Sequence, residues 1–153
     1  MTRAKPMLLT AALAALLAGG AIAAAASPAD TIAARQANFK KMGGAMKALK
    51  EELGGGADKA KLAAAARTLA ATAKLQGALF PAGTGPSSGV KTDALPAIWT
   101  QKSAFDAAAA KLVSEADKLA GIAGSGNTAA VLAQFKVVGG TCAACHKQFR
   151  AED

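Results

Sequence analysis

The stretch from residue 131 to residue 149, VLAQFKVVGGTCAACHKQF, decides the fold of this chain. Its larger apolar residues and both cysteines recur at intervals of 4, 3, 4, 3 and 4, at Val131, Phe135, Val138, Cys142, Cys145 and Phe149. This spacing is the seam of an amphipathic helix that packs on other helices. Because both cysteines occupy seam positions, their thiols are expected to point into the interior of the fold.

The segment from Cys142 to His146 has the C-x-x-C-H spacing of covalent c-type haem attachment. Two thiols three residues apart can each add to one vinyl group of a porphyrin, and the imidazole that follows can reach the iron. A closed zinc site needs four ligands, but the chain has only two cysteines and one histidine. A thioredoxin-like pair needs a βαβ setting, for which the sequence has no strand pattern. The motif therefore predicts one haem c bound through Cys142 and Cys145, with His146 as the iron ligand.

Residues 1–26 have the composition of a cleaved secretory signal. Arg3 and Lys5 precede an apolar run, and Ala24-Ala25-Ala26 offers small residues for cleavage. A membrane anchor is the alternative, because the apolar run is just long enough to span a bilayer. The alanine-rich, glycine-interrupted run favours cleavage. We therefore expect a bacterial periplasmic protein, with a signal peptide at residues 1–26 and one domain at residues 27–153.

The chain is basic, with 18 lysines and arginines against 10 acidic residues and a formal net charge of +8. Cleavage after residue 26 would leave 16 basic and 10 acidic residues, a net charge of +6. This excess predicts acidic redox partner proteins or an anionic surface. The charges are spread along the chain and aromatic residues make up only 4% of it, so the composition does not indicate nucleic-acid binding. No membrane span is expected after signal cleavage.

Two helices are predicted before the long loop. The first begins with Ser27 at the N-cap and Pro28 at the first helical position, and it ends at the glycines that start at Gly54. Its seam consists of Ile32, Phe39, Met42, Met46, Leu49 and Leu53. The second helix runs from about residue 57 to residue 79. Its broad, alanine-rich stripe predicts packing on two sides, toward the core and toward another subunit.

A loop from Phe80 to Pro96 follows, and its length is typical of functional loops. The third helix opens at Leu95-Pro96 and repeats the seam at Ile98, Phe105, Ala109, Leu112, Ala116 and Leu119. Asn127 is the predicted cap of the fourth helix. Four helices with short turns and one longer connection predict an all-α fold, an antiparallel four-helix bundle with a cofactor between facing helices.

These features resemble the cytochromes c′, the bundle-forming class of c-type cytochromes. The resemblance covers residues 27–153. Its markers are the C-terminal C-x-x-C-H motif followed by Phe149-Arg150, the segment Pro96-Ala97-Ile98-Trp99, and Arg35-Gln36. It implies a bundle with covalent haem in its core and His146 as the proximal iron ligand.

The resemblance also implies a role for residues outside the motif. Arg35 and Gln36 would lie near the haem edge, Arg150 beside the proximal imidazole, and Thr92 in the loop that touches the haem. Cations close to a haem stabilise its propionates or tune the iron potential. From the residue alone, a solvated helix face remains the alternative for Arg35.

In the family, the residue four positions after the matching arginine lies over the open face of the iron, and here that residue is Phe39. Phenylalanine has no lone pair, so the resemblance implies five-coordinate, high-spin iron in a dry distal pocket without a hydrogen-bond donor. It further implies binding of nitric oxide and carbon monoxide, electron exchange, and homodimers formed through the first two helices. No enzymatic activity beyond redox exchange is expected, because the chain has one histidine and its acidic residues fall on polar helix faces. One alternative is a low-spin electron carrier of the cytochrome c556 type, with Met42 as the sixth ligand. The other is a haem-free helical interaction protein with an accidental motif.

Overall fold

The computed structural model describes residues 26–152, so the predicted signal peptide lies almost entirely outside the described residues. Five α-helices account for most of this range, and no β-strand occurs in it. They are α1 (Pro28–Gly54), α2 (Lys59–Lys74), the short α3 (Ala97–Thr100), α4 (Lys102–Ala123) and α5 (Thr128–Phe149). The four long helices form a bundle in which α1 packs on α2, α2 on α4, and α4 on α5. The predicted all-α, four-helix architecture is confirmed.

Three of the long helices begin at a residue whose side-chain oxygen accepts hydrogen bonds from backbone amides of the first turn. Ser27 accepts from the amide of Asp30, and Asn127 accepts from the amide of Ala130. Asp58 accepts from two amides at the start of α2. These bonds satisfy backbone donors that have no partner within the helix. The predicted caps at Ser27 and Asn127 are therefore confirmed.

The second helix is shorter than predicted, because α2 ends at Lys74 instead of continuing to residue 79. The backbone amides of Leu75 and Gln76 bond back to the carbonyls of Thr72 and Ala73 at 3.3 and 3.2 Å. A 3₁₀ turn at Gly77–Leu79 follows. A glycine inside a helix costs about 1 kcal/mol relative to alanine, which favours the departure from helix just before it.

The third predicted helix is divided in two at Gln101, whose backbone leaves the helical region with φ −120° and ψ 46°. The break lies between two seam residues, Ile98 and Phe105, which are 2% and 4% exposed. Both pack in a small aromatic cluster with Phe80 and Phe149. The two helical segments therefore share one buried cluster although the helix axis is interrupted.

The stripe on α2 is broad because this helix has two neighbours within the same chain. Its buried residues are mostly alanines around Leu62 and Leu69, and they belong to one core with residues of α1 and α4. Small side chains allow both neighbouring helices to approach closely. Packing on α1 and α4 thus accounts for a broad stripe within one chain, and the contact of α2 with another subunit stays a prediction.

One helix of the described chain, α5, is long and apolar enough to cross a membrane by length and composition. The same helix supplies Val131, Val138 and Phe149 to the protein core. Its cysteines line a cavity inside the bundle. Part of its apolar character is therefore used within the fold, while Leu132 and Val137 of the same helix are 39% and 47% exposed.

Candidate haem-binding site

A cavity of about 630 Å³ lies between α1, α4, α5 and the loop that precedes α3. This volume is within the range of cofactor and small-molecule sites. Every residue that the sequence analysis named for the site lines this cavity: Arg35, Gln36, Phe39, Thr92, Cys142, Cys145, His146 and Arg150. Met42, the alternative sixth ligand, lines it as well. The fold thus gathers residues from both ends of the domain around one space.

The two cysteines lie one turn apart on the wall that α5 contributes, and both are free and half-buried. Burial raises the pKa of the Cys142 thiol. Burial also raises the pKa of the Cys145 thiol, and the neighbouring Cys142 adds to this effect. Partly buried thiols that stay protonated on an apolar wall are suited to contact a large apolar ligand. A metal site would instead require the deprotonated thiolates.

His146 projects from the same end of α5, and the ring of Phe39 approaches it from α1. The two ring centroids are 6.4 Å apart with an interplanar angle of 63°. Burial lowers the pKa of His146, and the positive charge of Arg150 lowers it further. A neutral imidazole keeps the lone pair that a metal requires. The site therefore sets a metal-ligating group opposite an aromatic ring that cannot ligate.

Phe39 is 37% exposed, although its seam position predicts a core residue. Its ring faces the cavity and makes edge contacts with Phe80 and His146. Met42, one turn later on α1, is only 5% exposed and packs in the main core while it also lines the cavity. Phe39 and Met42 therefore occupy different surroundings on the same side of the site.

Arg35 is almost fully buried, at 2% exposure, so the solvated-face alternative for this residue is wrong. Its guanidinium donates to the carbonyl of Thr84 at 3.0 Å and to the hydroxyl of Thr92 at 2.9 Å. Two longer bonds reach the Thr84 hydroxyl and the Leu79 carbonyl, at 3.3 and 3.4 Å. The guanidinium carbon also lies 4.5 Å from the centroid of the Phe80 ring.

The burial of Arg35 lowers its pKa, because desolvation disfavours a charged group. Within residues 26–152, no carboxylate forms an ion pair with it. A buried charge is costly unless it is paired or well hydrogen-bonded. A buried cation on the cavity wall is thus complementary to a ligand that carries carboxylates, as haem does.

The remaining predicted residues connect the loop to α1 and α5. The amide of Gln36 donates to the carbonyl of Lys91 at 3.3 Å. Arg150 forms an ion pair with Asp93 at 3.8 Å and an isolated β-bridge with Ala94. These contacts tie the loop to both helices and close one side of the cavity.

The cavity wall also includes residues that the sequence analysis did not assign to the site, notably Gln76, Phe80 and Phe105. Phe105 was identified as a seam residue, and the helical period could have indicated its position. Gln76 lies between α2 and the 3₁₀ turn, where no periodic pattern places a side chain. Only the tertiary structure brings it to the cavity.

The donor set fits haem. One helix face offers two thiols and an imidazole at the attachment spacing, the walls are apolar and aromatic, and a buried cation lies at the loop side. A four-helix bundle that carries this motif on the wall of an internal cavity defines a bundle-type class of haem-binding proteins.

Comparison with known proteins identifies the family. The family model described as Cytochrome C' matches residues 30–150. The cytochrome c′ of Allochromatium vinosum is 39% identical over 138 residues, which are 89% of this chain and 90% of that protein. The cytochrome c-556 of Agrobacterium tumefaciens is 39% identical over 121 residues, covering 76% of this chain and 93% of the relative. The chain therefore belongs to the cytochrome c′ family, a family of c-type haem proteins.

Solved structures of the family share the fold. A cytochrome c′ with ligand-controlled dimer dissociation superposes with a TM-score of 0.79 at 35% identity, covering 84% of this chain and 100% of that one. A ferrous variant of the cytochrome c′ from Alcaligenes xylosoxidans with nitric oxide bound gives a TM-score of 0.76 at 26% identity, covering 84% and 98%. The two solved chains are matched almost from end to end, over 84% of this chain.

Proposed function

We propose that this protein is an exported, periplasmic c-type haem protein that binds nitric oxide or carbon monoxide and exchanges electrons with acidic redox partners. The observation that carries the proposal is the pair formed by His146 and Phe39 across the cavity, with ring centroids 6.4 Å apart. One of these rings can ligate a metal and the other has no lone pair to donate. An arrangement of this kind favours five-coordinate, high-spin iron.

Each residue has a role in this proposal. Cys142 and Cys145 would hold one haem through thioether bonds, and His146 would ligate its iron. The haem would supply an iron atom that can exchange an electron and bind a small neutral ligand. Phe39 would restrict access to that iron, while Arg35, buried on the cavity wall and without an acidic partner in the described chain, would pair with a haem propionate.

Arg150 acts on the other side, beside the imidazole. Its charge contributes to the lowered pKa of His146, after burial, and so favours the neutral ring. Gln36 and Thr92 keep the loop against α1, through Lys91 and Arg35 respectively. The roles of these residues are holding and tuning the cofactor, so we propose a binding and electron-exchange function without catalysis.

Binding of a gas is supported by the nitric oxide complex of the relative from Alcaligenes xylosoxidans. In this chain the aromatic rings of Phe39, Phe80 and Phe105 contact one another in sequence and line the cavity. Such a wall accepts small neutral molecules and excludes charged ones, because a charged ligand would lose its hydration there. Steric access past Phe39 then limits the size of the ligand that can enter.

The second candidate is a low-spin electron carrier with Met42 as the sixth ligand. It is favoured by the position of Met42 on the cavity wall, one turn from Phe39. The similarity to a cytochrome c-556 supports the same candidate. A thioether at the iron would leave no axial position for a gas.

Optical spectra of the purified, exported protein test the two candidates. We expect high-spin ferric and ferrous spectra, and a change of the ferrous spectrum when carbon monoxide is added. A low-spin spectrum that carbon monoxide does not alter would contradict the proposal. The variant Met42→Leu then decides the assignment, because loss of a methionine ligand converts low-spin iron to high-spin, whereas a non-ligating Met42 can be replaced without a spectral change.

Three simpler measurements test the rest of the proposal. A haem stain of a denaturing gel excludes or supports the haem-free helical interaction protein, since only covalent haem survives denaturation. The mass of the periplasmic protein shows whether residues 1–26 are removed. Sedimentation with and without carbon monoxide tests the proposed homodimer through α1 and α2, which the ligand-controlled dimer of a relative supports.

A further inference from the structure

Gln76 is a buried side chain whose polar atoms have no hydrogen-bond partner. It is 3% exposed, and neither Nε2 nor Oε1 is bonded to any group of the described chain. The same side chain lines the cavity. Buried amides in folded proteins nearly always have partners, and an unmade hydrogen bond in the interior is unfavourable. This unpartnered amide therefore indicates a polar ligand atom at this wall.

Contacts from α1 hold the segment that carries Gln76 against the turn of α1 that precedes Phe39. The amide of Asn38 donates to the carbonyl of Thr72 at 3.0 Å, four residues before Gln76. Arg35 reaches the carbonyl of Leu79, three residues after it. Both donors precede Phe39 on α1, and the two acceptors lie on either side of Gln76 in the sequence. The segment that carries Gln76 is thus held against the part of α1 that faces His146.

Gln76 also lies on the side of the cavity away from the haem attachment motif. It follows α2, which packs on α1 and α4, while the motif is on α5. Phe80, one turn later, contacts Phe39 with ring centroids 6.4 Å apart. The cavity wall around Phe39 and Phe80 and the end of α2 therefore combines aromatic rings with one amide that can donate through Nε2 and accept through Oε1.

We propose that Gln76 is a specificity-determining residue that donates a hydrogen bond to a diatomic gas bound opposite His146. The inference deepens the proposed gas-binding function and rests on it. It replaces the expectation of a distal wall without a donor. A donor at this wall stabilises ligands whose outer atom carries partial negative charge, and it therefore favours nitric oxide over the less polar carbon monoxide.

The test compares the haem-loaded wild type with Gln76→Leu, which removes both polar atoms without adding a residue that could ligate iron. We expect nitric oxide to dissociate from the ferrous variant about 2- to 10-fold faster, the range of one neutral hydrogen bond. Carbon monoxide dissociation should change less. In infrared spectra, the stretching band of bound carbon monoxide should move to higher wavenumber, because a donor no longer polarises the ligand.

Gln148→Leu is the matched control, since Gln148 is an exposed glutamine on α5, two residues after His146 in the sequence. It should leave the dissociation rates and the stretching band unchanged. If Gln76→Leu retains a native thermal melt and binds both gases with wild-type rates and an unshifted band, the inference is overturned. If the wild type binds no gas at all, the proposed function itself fails, which is a different result.

A measurement on the wild type keeps the inference testable if Gln76→Leu does not fold. Exchange of the protein from water into deuterium oxide replaces the amide hydrogens of Gln76. A hydrogen bond to the ligand predicts a small isotope shift in the vibrational band of bound nitric oxide. The absence of any shift in a fully exchanged sample would overturn the inference.

Discussion

Replacement of Arg35 by methionine should destabilise the protein more than any other single substitution of a basic residue. The side chain is 2% exposed, and its two short hydrogen bonds, at 3.0 and 2.9 Å, join α1 to Thr84 and Thr92. A hydrogen bond from a charged group contributes about 1.5 kcal/mol or more. Loss of both bonds, with the acceptors left buried, should lower the free energy of unfolding by about 3 kcal/mol.

The assay is thermal unfolding of the haem-loaded protein, followed by circular dichroism. For a domain of this size, a loss of 3 kcal/mol corresponds to a fall of roughly 10 °C in the unfolding midpoint. Arg35→Lys keeps the charge but not the planar fork, so it should give an intermediate value. Arg67→Met, at an exposed position of α2, is the matched control and should change stability by less than about 0.5 kcal/mol.

A midpoint for Arg35→Met within about 2 °C of the wild type would refute this reasoning. It would mean that the loop keeps its position without the guanidinium, and that the hydrogen bonds to Thr84 and Thr92 contribute no net stability. A fall in the midpoint of Arg67→Met equal to that of Arg35→Met would refute it as well, because the effect would then be one of net charge.

Three further predictions concern the cofactor, the loop and a helix cap. The double variant Cys142→Ala/Cys145→Ala should lose the haem stain and should not melt cooperatively. The reason is that the cavity of about 630 Å³ would then lack its covalently held haem. A cooperative, native-like melt would contradict this prediction. Gly85→Ala should lower the free energy of unfolding, measured by chemical denaturation, by about 1–3 kcal/mol, because a Cβ atom there would lie 2.9 Å from the Trp99 ring. An unchanged denaturation midpoint would contradict this, because it would mean that the ring moves aside at no cost. Asp58→Ala should lower the unfolding midpoint at pH 7. The amides of Lys61 and Ala60 lower the pKa of Asp58 below its ordinary 3.8, so this stabilisation is present above that value. This stabilisation is lost as the pH falls through the pKa of Asp58 in the folded protein, so the unfolding midpoints of Asp58→Ala and the wild type should converge in acid. A difference between the midpoints that does not change with pH would contradict the assignment.

The sequence by itself determined the attachment motif and the presence of the four long helices, but not the end of α2 or the break at Gln101. Both depend on spacing within one helix: the intervals of 4 and 3 between Val131 and Phe149 define a buried face, and Cys142 and Cys145 are part of it. Caps such as Ser27 are equally local, because the bonded atoms lie three residues apart. Local geometry of this kind can be predicted from residue types in order, without knowledge of distant contacts.

Only the tertiary structure decided what the polar residues of the site do. Arg35 contacts residues 44 to 57 positions away, and the same arginine in the same helix could have faced solvent. The burial of Gln76 depends on the end of α2 and on its attachment to α1, neither of which follows from a periodic pattern. The two neighbours of α2 could not be predicted for the same reason, because an alanine-rich stripe has the same sequence whether it faces a second subunit or a second helix. Periodicity shows which face is buried, whereas the packing of distant segments decides what that face contacts.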